Sequence, residues 1–470
     1  MKTTSVIASP SIPQSALIEE ADKLLKQLFP ICRSITGDGV RRSLAILREV
    51  VDFEIHEVPS GTVCYDWVVP EEWNVTDAFI QDETGRKIVD FRDNNLHLVN
   101  YSMPIDQVMS FQELREHLHA LPALPDAIPY RTSYYARSWG FCVSQKHLER
   151  FNPAATYRVL INATLSPGSM TLGESVVRGH SGQEFLLSTY CCHPSMGNDN
   201  LSGIVLWALL LRELKSRPTR HSYRAIIVPE TIGAIAYLSR HEAEMKRLAG
   251  GFVITTVAGP GPFGYKQTFQ GNHPIDRAVR RTFAEAKVEC IEYPFHIKGS
   301  DETHYAAPFF RIPTGTVCKD KYYEYPYYHT SLDDLEFISA ENLVRTLEVY
   351  LLAIEKIELN RTFRSLSPYS EPMLGKRGLY PSIGGHINQP AVGEITGKNL
   401  QAAVGGNHPS GVSQDDMDAM LWLLFYGDGQ TPLLDIAEKT QIPMRQLLQV
   451  AEALCVQGLL EEVDPTPGAR

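Results

Sequence analysis

An α/β fold with a mostly parallel sheet and helices on both faces is predicted for this chain. An inserted β-rich domain and a C-terminal winged helix-turn-helix complete the prediction. Three observations carry it. From about Thr156, apolar strand-like runs alternate with helix-like segments, the pattern of a parallel sheet covered by helices. Between residues 56 and 155, short β-runs separated by Pro and Gly turns replace that alternation. After a Pro/Gly/Ser-rich connector (365–413), three short helical patterns follow closely.

The elements follow in order. Leu17, Ile18, Ala21, Leu24, Leu25 and Leu28 recur on one side of residues 15–29 and predict an amphipathic helix. Cys32 to Gly39 reads as a loop rich in cap and turn residues. A second helix is expected after it, over 42–50. Runs at 53–58, 87–90 and 97–100 read as short strands of the β-rich region, which also holds Trp67, Trp73 and Trp139. Strands are expected at 158–164, 185–192, 224–229, 252–257 and 314–318. Helices are expected between and after them, at 201–215, 232–241, 276–286 and 341–358. The resulting boundaries are 1–55 with 156–412 for the α/β part, 56–155 for the insertion and 413–470 for the tail. In the tail, Met417, Met420, Leu421, Leu424 and Phe425 mark a helix face, with Leu421, Leu424 and Phe425 as its candidate core. Leu433–Ala437 and 444–457 supply the other two helices. No internal repeat is evident.

Composition narrows the function classes. The chain has 470 residues, 43% hydrophobic and 21% charged, ordinary for a globular protein of two or three domains. A net charge of −11 argues against a general nucleic-acid binder. Eight cysteines include no C-x-x-C pair, which argues against a zinc knuckle or a thioredoxin-type site. Cys191 and Cys192 are adjacent in an apolar strand and should point to opposite faces as buried, reduced thiols. Met1 to Gln14 is rich in Ser, Thr and Pro and lacks the apolar core of a signal peptide. No apolar run reaches the length of a membrane span. A cytoplasmic protein with no membrane partner is expected.

The chemistry concentrates at three loops. Phe185 to Gly203 reads as a buried strand, a sharp loop and a helix start, with His193 at the strand end and Asp199 six positions on. Val228-Pro229-Glu230 again ends a strand in a carboxylate just before a helix. Tyr328-His329-Thr330 opens a loop that continues to Asp333 and Asp334. Open α/β sheets bind ligands at the carboxyl ends of their strands, and His, Asp, Glu and His there form a metal-ligand and base set. Each residue also has a structural reading. Asp199 could be an N-cap, Glu230 a helix-start carboxylate, and Asp333 a cap or a partner that orients His329.

With those residues in place, the chain resembles the zinc aminopeptidase family that includes the bacterial leucyl aminopeptidases, and its relative glutaminyl cyclase. It looks most like an aminopeptidase-like bacterial family with an inserted β-domain and a C-terminal winged helix. Some members of that family are labelled polysaccharide-biosynthesis proteins. The resemblance covers essentially the whole chain and implies a zinc-aminopeptidase-like sheet. It implies His193 as the first histidine ligand. Asp199, in an Asp-Asn-x-Ser-Gly pattern, matches the aspartate that bridges two zincs. Glu230 matches the general base, and His329, in His-Thr-x-x-Asp, the last histidine ligand. Gly299-Ser300-Asp301 resembles a Ser-Asp stretch that lines the family's pocket.

Two positions depart from the family. Thr231 stands where a second glutamate ligand is expected. The strand running Val253 to Gly259 offers no carboxylate. A two-metal site would lose one ligand for each ion. One zinc on His193, Asp199 and His329, with an open position, is therefore expected rather than two. Asp301, His304, Tyr328 and Arg33 are further candidates for the substrate pocket, with a surface position near a turn as the default reading of His304 and loop stabilisation as that of Arg33.

The leading expectation is a zinc-dependent amide hydrolase acting on an N-terminal amino acid or an aminoacylated small molecule. A glutaminyl-cyclase-type acyl transfer is the second reading. A regulatory protein with a degenerate metal site and a DNA-contacting winged helix is the third. The expected partner is a small peptide or an aminoacylated small molecule, with no nucleic acid and with a homo-oligomer left open.

Overall fold

The computed structural model describes residues 10–377, 379 and 414–463. It divides into two compact units, Met1–Ile354 and Glu355–Arg470. Most of the connector expected at 365–413 lies outside the described residues.

Helix α1 (Gln14–Leu28) buries Leu17, Ala21, Leu24, Leu25 and Leu28, the expected face, with Ile18 half-buried at its margin. Each buried leucine contributes roughly 1.5–3 kcal/mol. Helix α2 (Asp38–Val50) starts earlier than expected. Gly37, at φ +94°, turns the chain into it, and a Cβ on Gly39 would collide with the Cys32 carbonyl.

Strand β1 (Glu54–Pro59) is an edge strand of the main sheet. Next come β2 (Glu72–Gln81), β3 (Lys87–Asp90), β4 (Ile105–Ser110) and β5 (Thr156–Ser166), which form a small antiparallel sheet ordered β3-β2-β5-β4. The main sheet is completed by β6 (Ser169–Val177), β7 (Glu184–Tyr190), β8 (Ser222–Val228), β9 (Gly250–Val253), β10 (Phe263–Lys266), β11 (Cys290–Tyr293) and β12 (Thr314–Lys319). Its order is β1-β6-β8-β7-β9-β12-β10-β11. The central strands β8, β7, β9 and β12 are parallel, as expected. Every residue of β8 is buried, as is every residue of β7 after Glu184, so both read as continuous apolar runs. Helix α3 (Gly203–Lys215) is buried nearly all round, including Trp207, whose indole N–H donates to the Leu187 carbonyl at 3.1 Å.

Two expected strands change sheets. The run expected at 53–58 joins the main sheet, antiparallel to β6. The run expected at 158–164 lies in β5, between β2 and β4 of the small sheet. The reason is legible in β5 itself. Its residues alternate buried and exposed, the pattern of an antiparallel sheet with one solvated face. The run expected at 97–100 is instead a 3₁₀ turn (Asn95–His97) followed by isolated bridges. Strands β6, β10 and β11 were not expected. The small sheet shares one apolar core with the main sheet, Trp73, Ile80 and Val159 clustering with Leu186, Ile226 and Val253. The insertion thus has no core of its own.

Helices α4 (Ile232–Arg240), α5 (Pro274–Ala286) and α6 (Ala340–Leu359) follow β8, β10 and β12. The C-terminal unit contains β13 (Thr362–Ser365), α7 (Gln414–Phe425), β14 (Asp428–Pro432), α8 (Leu433–Thr440), α9 (Met444–Val456) and β15 (Leu460–Val463). Its antiparallel sheet runs β14-β13-β15, so the middle strand comes from well before the expected boundary at 413. The expected core face of α7 is corrected. Met417, Ala419, Met420 and Leu423 are buried, whereas Leu421 is 37% and Phe425 73% exposed. Apolar residues surround α7, so hydrophobicity alone did not select a face.

Candidate active site

The four central parallel strands point their carboxyl ends to one edge. From β7 the chain moves to β8 on one side and then to β9 on the other. Strand β7 is therefore a topological switch point, where open α/β sheets bind ligands. Its end leads to His193 and the turn Gly197–Ser202, which holds Asp199. Glu230 follows the end of β8, Thr255 follows β9, and His329 sits in the loop after β12.

The three expected ligands converge. His193 Nε2 is 3.9 Å from Asp199 Oδ2, and His329 Nε2 is 3.0 Å from the same oxygen. All three ligand atoms lie within 4.8 Å of one another. A tetrahedral zinc with bonds of about 2.0–2.1 Å holds ligand atoms about 3.3 Å apart, between those two distances. Asp199 Oδ2 and His329 Nε2 are buried without a hydrogen-bond partner. Such atoms are costly, and a shared cation removes the cost. Burial opposes the charge on Asp199, but His193, His329 and the Tyr190 hydroxyl outweigh it and hold the carboxyl down at about 2. Burial keeps the His193 imidazole neutral, pulled down to about 4. Both side chains are thus in their ligand forms at neutral pH. Two imidazoles and one carboxylate suit zinc.

The surroundings orient these ligands. Cys192 Sγ lies 3.3 Å from His193 Nδ1 and accepts the Glu230 N–H at 3.3 Å. A proton on Nδ1 directed at this sulfur leaves Nε2 free to face Asp199. Cys192, His193 and Glu230 form a second close trio, but burial pushes the thiol well up, so it stays protonated. Asp333 accepts the Asn198 N–H at 2.6 Å, the Asp199 N–H at 3.0 Å and the Tyr325 hydroxyl at 2.8 Å. It therefore braces Asp199, not His329 as expected. Arg33 takes its loop-stabilising reading: it is buried and donates to the carbonyls of His193 (2.9 Å) and Leu28 (2.6 Å), which stiffens the ligand loop, while its Nη2 is buried without a hydrogen-bond partner. Sequence reasoning missed Asn198, whose side chain joins three strand-end loops through Lys319 O, Ala258 N and Gly259 N.

Glu230 stands beside the ligands. Its Oε2 is 3.7 Å from His193 Nε2, and its Oε1 accepts from Ser300 Oγ at 2.7 Å. Burial, reinforced by the charges of Asp301 and Asp199, pushes its carboxyl well above the usual range. Asp301 Oδ1 accepts the Thr231 N–H at 2.8 Å, while Oδ2 is buried without a partner. Burial pushes this carboxyl up to about 7. Next to it, Glu302 is paired with Lys266, and Tyr322 bonds both at 2.7 and 2.8 Å. Nothing in the sequence announced this cluster, whose members are far apart in the chain. His304 is half-buried on the turn Glu302–Tyr305, and no contact among the described residues joins it to the ligands.

Tyrosines wall the site. Tyr328 stacks on His329 with ring centroids 3.9 Å apart. Tyr130, from the inserted region, lies 5.3 Å from the His193 ring and 5.2 Å from the His329 ring. Its backbone N–H donates to the His329 carbonyl at 2.8 Å, and its hydroxyl bonds that of Tyr134 at 2.7 Å. The insertion thus supplies part of the site, which its sequence did not reveal.

Comparison with known proteins places the family and agrees with the fold. The model of a domain of unknown function, DUF4910, matches residues 22–360, and a winged helix-turn-helix model matches 397–462. A Clostridium acetobutylicum protein, named as a candidate polysaccharide biosynthesis protein with an aminopeptidase-like domain, is 40% identical over 444 residues. That match spans 94% of this chain and 96% of the relative. A crystal structure of a candidate peptidase from Clostridium acetobutylicum matches with a TM-score of 0.84 at 38% identity, covering 96% of this chain and 97% of that one. BSAP, a zinc aminopeptidase from Bacillus subtilis, shares the fold alone. Its TM-score is 0.52 at 15% identity, over 72% of this chain and 94% of that one. The chain belongs to the DUF4910 family, and it joins an aminopeptidase-like α/β fold to a C-terminal winged helix-turn-helix.

Proposed function

We propose that this chain is a zinc-dependent amide hydrolase that releases an N-terminal amino acid from a small peptide or an aminoacylated small molecule. One observation carries the proposal: Asp199 Oδ2 and His329 Nε2 are buried, unpartnered and 3.0 Å apart beside His193. His193, Asp199 and His329 would hold one zinc. Bound zinc lowers the pKa of water and polarises a carbonyl. Glu230 takes the proton of the attacking water and passes it to the leaving amine. Burial and the neighbouring Asp301 and Asp199 charges raise this carboxyl, so it holds a proton more readily than an exposed glutamate does. Ser300 fixes one oxygen of Glu230 and leaves the other toward the ligands. The relative's name sets polysaccharide biosynthesis beside an aminopeptidase-like domain. An amide between an amino acid and an amino sugar satisfies both halves of that name.

The test is metal analysis of the purified protein, then a screen of aminoacyl amides, aminoacylated amino sugars included, with detection of the released amino acid. One zinc per chain and release of an amino acid are expected. Cyclised product from an N-terminal glutaminyl substrate, without release, would favour the acyl-transfer reading instead. Protein free of zinc and inert on every amide would leave a regulatory role.

A further inference from the structure

We infer that the Tyr190 hydroxyl, anchored by Thr255, confines the centre to a single metal ion by occupying the second oxygen of Asp199. The inference rests on the zinc reading above and deepens it. A carboxylate that bridges two ions gives one oxygen to each. Here Oδ2 faces both histidines and has no partner, whereas Oδ1 accepts the Tyr190 hydroxyl at 2.6 Å. That bond commits Tyr190's only proton. Thr255 Oγ1, 2.7 Å from the Tyr190 oxygen, is therefore the donor of the next bond.

All three side chains are buried, at 2% exposure or less. The arrangement is built into the sheet. Strands β7 and β9 pair Ser188 with Val253, so Tyr190 and Thr255 occupy the next matching positions beyond that pair. Asn200 Nδ2 pins the turn by donating to the Tyr190 carbonyl and to Thr189 Oγ1, each at 3.0 Å. An ion about 2.0–2.2 Å from Oδ1 would meet the phenol oxygen already seated 2.6 Å from that atom. The carboxylates that a second ion would draw on are absent at Thr231 and along 253–259, the run that holds Thr255. The Thr231 N–H is bound to Asp301, and the Thr255 hydroxyl is committed to Tyr190. A hydrogen-bonded chain thus stands where a second coordination sphere would have been.

The test measures metal, not turnover. Zinc stoichiometry by equilibrium dialysis and the visible absorption of the cobalt(II) form are compared for the full chain, Tyr190→Phe and Tyr190→Phe/Thr255→Asp. The full chain should bind one equivalent. Tyr190→Phe should also bind one, but its cobalt form should absorb more weakly, because the freed Oδ1 lets Asp199 chelate and raises the coordination number. The double variant should bind a second equivalent. Two equivalents in the unaltered chain, an unchanged cobalt spectrum in Tyr190→Phe, or a folded double variant that stays at one each overturn the inference. If the double variant does not fold, the spectrum of the conservative single variant decides. An unaltered chain that binds no zinc overturns the zinc reading itself, and this inference with it.

Discussion

Charge is arranged in opposite ways in the two compact units. At the carboxyl edge of the main sheet, ligand-type atoms are buried without partners: Asp199 Oδ2, His329 Nε2 and Asp301 Oδ2. In the C-terminal unit the guanidiniums of Arg361, Arg364 and Arg445 each face a carboxylate, from Glu452 and Glu462, Glu461 and Glu355 respectively. A buried polar atom without a partner is destabilising by itself, so several gathered at one strand-end edge point to a ligand. Glu355 is buried too, but Arg445 already matches its charge, and a matched charge needs no ligand to explain it. The contrast is the ground for expecting chemistry in the first unit and a scaffold or contact role in the second.

The largest effect should come from removing what the unpartnered atoms share. His193→Ala and His329→Ala should each reduce zinc to background and abolish turnover, read by elemental analysis and an amide assay. Zinc retained undiminished in either variant would break the contrast at its centre. Glu230→Gln comes next. It removes the proton acceptor but no ligand, so zinc content should hold while turnover falls about 10²–10⁴-fold. A variant that keeps most of its activity would remove Glu230 from the role of base.

His193 and Glu230 were legible because each follows a continuous apolar strand with a strong local signal. His329, in the long loop between β12 and α6, was legible only through its motif. The sequence did not carry what depends on distant pairing. Arg33 was legible as a residue of a cap-and-turn loop, but its partners, the backbone carbonyls of His193 and Leu28, were not. The sheet membership of 53–58 and 158–164 depended on which strands they meet, although the alternation in β5 was a readable warning. The Lys266–Glu302–Tyr322 cluster and the Tyr130 wall have no local signature at all.

Arg33 provides the third test. Arg33→Leu leaves the carbonyls of His193 and Leu28 without donors, at a cost of about 1–3 kcal/mol for each. Urea denaturation should show a lower midpoint, and zinc affinity should weaken because the ligand loop loosens. Unchanged stability would mean that Arg33 is not the brace its geometry indicates.

A matched pair within the catalytic unit supplies the control. Arg41 holds Glu72 through two bonds of 2.7 Å, and these, against the opposing effect of burial, keep its carboxyl low, at about 2. A carboxyl lowered on folding stabilises the protein above its unfolded pKa, near 4.5. That contribution is lost as pH falls toward 2. Glu72→Gln should therefore cost about 1–2 kcal/mol at neutral pH, allowing for partial exposure of the pair. The cost should vanish near pH 2, and zinc content should not change. A cost independent of pH would show that packing, not charge, holds this pair.

The smallest expected effect is no effect, and it concerns the winged helix. A duplex reader draws its affinity from cations that reach phosphates, and its binding weakens steeply with salt. Helix α9, in the recognition position, carries Arg445 and Glu452 as its only charged residues. Arg445 reaches Glu355 at 2.8 Å, and Glu452 faces Arg361 at 3.2 Å. The nearby Lys439 lies over the Tyr426 ring, 4.5 Å from its centre. The same segment of sequence carries Asp416, Asp418, Asp428, Asp435, Glu438, Glu461 and Glu462. The exposed face of α7 is instead apolar, with Leu421, Trp422 and Phe425 at 37, 41 and 73% exposure. Such a surface suits contact with protein. We therefore expect no duplex binding by the full chain in a gel-shift titration at low salt, where weak electrostatic attraction is strongest. A shift that disappears with added salt would show that these carboxylates release their cations to phosphate. The contrast between the two units would then mark two binding sites and not one.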